Sequence, residues 1–89
     1  MQTIYKFPIQ ITDSQTVLMP KGAKILSVQF QKSTLCLWVL VDADLGVEPE
    51  PVTILILGTG HQFNLKPGTE FIGTVQESGL VWNVFRERE

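Results

Sequence analysis

Thr34-Leu35-Cys36-Leu37-Trp38-Val39-Leu40-Val41 is the stretch that decides the fold. Successive side chains of an extended strand point to opposite faces. Leu35, Leu37, Val39 and Val41 then fill one face, and Cys36, Trp38 and Leu40 the other. A strand apolar on both faces is covered on both faces. Val52 to Leu57 repeats the pattern, with Ile54 and Ile56 against Leu55 and Leu57. Two such strands require either a curled sandwich or barrel, or a second subunit.

Working outward, the other segments alternate with period two. Tyr5, Phe7, Ile9 and Ile11 share one direction, and Lys6, Pro8 and Gln10 the other. Pro8 has no N–H for a ladder, so this strand is expected at a sheet edge. Thr12 to Gln15 reads as a polar turn, and Thr16 to Met19 as a short strand ended by Pro20-Lys21-Gly22. In Lys24 to Gln31, Leu26, Val28 and Phe30 oppose Ser27, Gln29 and Gln31, and Lys32-Ser33 turns tightly into the doubly apolar strand. Asp42 to Pro51 is an acidic, proline-bearing loop, and Leu65 to Thr69 a proline–glycine turn.

In Glu70 to Gln76, Phe71, Gly73 and Val75 are expected on one face, with Ile72 and Thr74 opposite. Glu77-Ser78-Gly79 turns the chain. Leu80, Trp82 and Val84 then oppose Val81, Asn83 and Phe85. About seven short strands and no sustained helical period predict one all-β domain over residues 1–89. The architecture is a small β-sandwich or partly open barrel, mainly antiparallel.

The chain has 89 residues, 44% of them hydrophobic and 18% charged, with a net charge of −2. This excludes disorder. Domains of this size bury only about 60–65% of the surface that the unfolded chain exposes, and the apolar surplus points to a homo-oligomer, most simply a two-fold dimer. Lys21, Lys24 and Lys32 form no basic stripe, and Arg86 and Arg88 alternate with Glu87 and Glu89. No nucleic-acid partner is expected. Neither signal-peptide pattern nor membrane-length apolar run occurs, so no membrane partner and a cytoplasmic location are expected. The single cysteine, Cys36, excludes an intramolecular disulfide and reads as a small buried hydrophobe.

Gly58-Thr59-Gly60-His61 is the segment most open to chemistry. Its glycines let the backbone bend and approach a ligand, its N–H groups can cradle an anion, and Thr59 and His61 add polar side chains. Lys66 follows on the next turn as a neutralising charge. Trp38 or Trp82 offers a stacking face, although core packing is the ordinary role of each. The plain alternative is a strand ending in a glycine turn. The segment lacks the helix and Gly-Lys-Ser/Thr of a phosphate loop. Asp42, Asp44, Glu48 and Glu50 lack the landmarks of a calcium loop and read as a solvated face. Asp42 and His61, at ends of the two doubly apolar strands, form a general-base pair only if the fold brings them together. No metal, cofactor or catalytic set is expected.

Met19-Pro20-Lys21-Gly22-Ala23-Lys24-Ile25-Leu26-Ser27-Val28, Leu35 to Asp42, Gly58 to His61 and Phe71 to Gln76 carry a resemblance that extends from Thr3 to Phe85. The chain resembles a family of short uncharacterised proteins encoded by tailed phages and prophages. That family often has a histidine where this chain has Asn83. The departure tells against a two-histidine metal site with His61. The resemblance implies action inside an infected bacterium. The leading expectation is a non-catalytic accessory protein that binds a host factor, such as a small anionic, nucleotide-like defence signal. The alternatives are a virion structural or assembly accessory and a small hydrolase using His61.

Overall fold

The doubly apolar strands occupy interior positions in two antiparallel sheets. In chain order the strands are β1 (Gln2–Ile9), β2 (Ser14–Pro20), β3 (Lys24–Gln31), β4 (Thr34–Asp42), β5 (Pro49–Gly58), β6 (Glu70–Glu77) and β7 (Leu80–Glu87). The computed structural model describes residues 1–44 and 48–87. Leu45, Gly46 and Val47 of the acidic loop, and Arg88 and Glu89 of the tail, lie outside the described residues. A three-stranded sheet has the order β1-β4-β3, and a four-stranded sheet the order β2-β5-β7-β6. The two sheets pack face to face without closing into a barrel, and no helix occurs among the described residues.

The core follows from the alternation. Leu35, Leu37, Val39 and Val41 of β4 meet Val52, Ile54 and Ile56 of β5 and Val84 of β7 in one buried cluster. Each of these side chains is at most 3% exposed. At about 25 cal/mol per Å² of apolar surface removed from water, this layer is the main stabilising element of the domain. Between the sheets, Arg86 Nη1 donates to the Ala23 carbonyl at 3.2 Å.

Prolines sit where a missing donor costs nothing. Pro8 lies on edge strand β1, opposite Cys36. Pro49 and Pro51 belong to β5 rather than to the acidic loop, but pairing with β7 begins only at Thr53. There β5 has β2 alone as a neighbour.

Four expectations need correction. Ile11 is outside β1 and 45% exposed, because the strand begins at Gln2 and ends at Ile9. Ser14 and Gln15 belong to β2, and the Gln15 amide closes the preceding turn on the backbone of Gln10. An irregularity between Ile25 and Ser27 turns Leu26 out of the core face and leaves it 43% exposed. A second, between Phe71 and Gly73, puts Phe71 opposite Phe85 on the outer face. An extra residue reverses the facing of everything on one side of it.

The outer face of β5 and β7 is covered in part by the chain itself. Leu55 lies opposite Phe85, and Leu57 opposite Asn83. The segment after β5 lays Phe63 against Phe85 at a ring separation of 6.2 Å, and Phe71 meets the same ring at 5.4 Å. An ion pair of 3.2 Å between Lys66 and Glu87 ties the segment down further along.

Candidate functional site

Two turns meet at one end of the four-stranded sheet. The register pairs Gly58, the last residue of β5, with Trp82 of β7. Beyond Gly58 the chain turns through Thr59 and Gly60, where His61 N donates to the Gly58 carbonyl at 3.2 Å. The β6–β7 hairpin turns beside it through Ser78 and Gly79, both with positive φ (54° and 82°). Two positive φ values at the centre of a two-residue loop match the right-handed twist of the strands.

Gly58, Thr59, His61, Gly79, Leu80, Val81 and Trp82 line an open groove of about 260 Å³ between these turns. The two glycines of the turn after β5 serve different ends. Gly60 has φ +91°, which L side chains rarely adopt. Gly58 makes room for the imidazole: a Cβ there would fall 3.0 Å from Cε1 and Nδ1 of His61.

The turn is braced by Asn83. Its Nδ2 donates to the Leu57 carbonyl and to Thr59 Oγ1, each at 3.1 Å, while its Oδ1 accepts from Thr74 Oγ1 at 2.9 Å. Thr59 N donates to the Val81 carbonyl at 3.3 Å. The N–H groups of Thr59 and His61 are thus engaged with backbone carbonyls within the fold.

Of the residues expected to form a site, Gly58, Thr59, His61 and Trp82 line the groove, with Gly60 at its turn. Trp82 is also half-buried against the core. Lys66 is drawn to Glu87 and does not line the groove. Trp38 is on the outer face of the other sheet, opposite Lys6 and Ser27. Asp42 does not face His61. Its carboxylate accepts the Asp44 N–H at 3.0 Å and lies 3.7 Å from the Met1 ammonium. The Asp44 N–H is the largest cause holding its pKa below the ordinary aspartate value; partial desolvation opposes this, and the ammonium adds to the lowering.

Gly79, Leu80, Val81 and the bracing role of Asn83 are not evident from local pattern. The alternation in the last strand does put Val81 and Asn83 on one face, but nothing local pairs them with residue 59. Cys36 is a free, buried thiol, as its apolar setting implies. Among the described residues no group of three His, Cys, Asp or Glu side chains is placed to hold a metal ion, and no helix is long and apolar enough to cross a membrane. Searches of curated proteins and of solved structures found no match to the chain. The family model for a domain of unknown function, DUF7352, matches residues 1–89, and the chain belongs to that family.

Proposed function

We propose that this chain is a non-catalytic accessory protein of the phage type, which binds a host factor in the cytoplasm of an infected cell through the groove between its two turns. The observation that carries the reading is the convergence of Gly58, Thr59, His61 and Trp82 with Gly79, Leu80 and Val81 on one opening. The groove is small by the standards of ligand pockets, about 300–1,000 Å³. It offers an indole, two aliphatic side chains and a single imidazole. With two of its amides engaged and Lys66 paired to Glu87, it suits a ring-bearing group with one acceptor better than a polyphosphate. For a nucleotide-like signal, the base and sugar edge is the part that fits.

The direct test is mass spectrometry of small molecules carried by protein purified from infected cells, followed by calorimetric titration of each compound found. The expected result is a ring-bearing compound whose affinity falls on His61→Ala. A protein that carries nothing above the level of a folded control chain overturns the small-ligand reading. Recovery in purified particles would favour the assembly role instead.

A two-fold dimer belongs to the same reading. Phe71 is 60% exposed beside Phe85, and an aromatic pair left open in this way is more common at interfaces than on monomer surfaces.

A further inference from the structure

The β3–β4 hairpin carries a second concavity, on the opposite sheet from the groove. It encloses about 420 Å³ and is lined by Lys6, Gln31, Lys32, Ser33, Thr34 and Cys36. Strand pairing explains the set. Lys6, Gln31, Thr34 and Cys36 all point to the outer face of the three-stranded sheet, from β1, β3 and the central strand β4. Lys6 Nζ reaches over β4 to donate to Gln31 Oε1. This bridge accounts for Cys36 being only 1% exposed although it faces outward.

Two observations single out this pocket. Its lining includes two ammonium groups and two hydroxyls and no carboxylate, in a chain whose net charge is −2. Among the described residues no carboxylate lies within ion-pair distance of Lys6 or Lys32; the ion pairs there belong to Met1 and Lys66. Lys32 also sits at φ 57°. Glycine, asparagine or aspartate is the usual choice in that left-handed region, and a lysine there is conformationally costly. Ser78 takes the same backbone in the β6–β7 turn, so the positive φ at Lys32 belongs to the geometry of a two-residue hairpin.

We propose that this pocket binds a phosphomonoester. Lys6 and Lys32, both lining the pocket, act as point charges toward phosphate oxygens, and the Ser33 and Thr34 hydroxyls supply further donors. A carboxylate would leave part of that donor set unused. Trp38, opposite Lys6 in register and on the same face, puts an indole beside the bound group. This site is independent of the groove between the turns and does not rest on it.

The test is a titration of ¹⁵N-labelled protein with inorganic phosphate at constant ionic strength, with sodium chloride as the control salt. Saturable amide shifts are expected at residues 31–34, with none at 58–61. The Lys6→Gln, Lys32→Asn double variant should weaken binding by about tenfold or more. Asparagine is chosen because it tolerates the left-handed backbone at residue 32. Equal, non-saturating shifts with chloride would overturn the proposal, as would full affinity in the double variant. Shifts confined to residues 58–61 would also overturn it, while leaving the groove reading intact. The shift map of the parent protein decides the matter even where the double variant fails to fold.

Discussion

Gly73 of β6 lies directly beneath Val28 of β3, so that a Cβ on residue 73 would fall 3.1 Å from Val28 Cγ1. The two strands are not hydrogen-bonded to one another; they belong to different sheets and meet only through side chains. The glycine therefore sets how closely the sheets approach along this edge. Val28 is 6% exposed and β-branched, and has little freedom to move aside. Gly73→Ala should destabilise the domain by about 1–2 kcal/mol, since overpacking outweighs the entropy gained by losing a glycine. In a double-mutant cycle by urea unfolding, Val28→Ala should recover part of that loss. Strict additivity would show that the contact does not limit the approach.

Asn83 satisfies the Leu57 carbonyl, Thr59 and Thr74 at once. Asn83→Ala removes the side-chain bonds to all three. The expected cost is about 1–2 kcal/mol, with faster amide exchange at Thr59 than in the parent. Unchanged exchange there would show that Asn83 does not brace the turn.

Three substitutions separate the groove from its scaffold. His61→Ala should weaken a groove ligand by about 1–3 kcal/mol, with the fold intact, because His61 is exposed. Gly58→Ala should have a similar effect without removing the imidazole, since its Cβ would displace the ring at 3.0 Å. Gly60→Val should hurt more than either, because φ +91° excludes a β-branched residue; no neighbour lies within 4 Å, so the cost there is conformational. If folded forms of all three bind as tightly as the parent, the turn is only a strand terminus.

Asp42 should titrate below the ordinary aspartate range in a ¹³C carboxyl experiment, because the Asp44 N–H and the Met1 ammonium favour its charged form. The folded pKa is lowered relative to the unfolded one. The associated stability is present above the unfolded value and is lost as pH falls through the folded value. Asp42→Asn should remove this acid-side dependence and leave the neutral-pH fold unchanged. A normal or raised pKa would contradict the geometry.

Sedimentation equilibrium at roughly tens of micromolar should return a dimer. Phe71→Lys should return a folded monomer, since residue 71 is on the outer face and outside the buried cluster. A monomeric parent would show that Phe63, lying across Phe85, is cover enough.

Much of this fold is legible in local pattern. Leu35 to Val41 and Val52 to Leu57 read as doubly apolar and lie inside their sheets with one face in the core, while Trp38, Leu40, Leu55 and Leu57 on the outer faces are only half-buried. Pro8 reads as an edge residue and lies on one. The period of two is a property of each strand's own backbone, so it survives whatever the strand packs against. The misplaced residues, Leu26 and Phe71, mark where that logic stops. Each adjoins an irregularity that lets a strand bend past its neighbours, and the position of such a bend is set by the opposing sheet.

The candidate sites divide in the same way. Gly58 to His61 is visible as a glycine turn with one histidine because those residues are adjacent in the chain. That Leu80, Val81 and Trp82 complete the groove, and that Lys6 reaches Gln31 over Cys36, depends on strand order and register across gaps of some twenty residues or more. Alternation tells which way a side chain points from its strand. Which strand lies beside it is decided by long-range pairing and by the burial of two sheets against each other, and no local spacing carries that information.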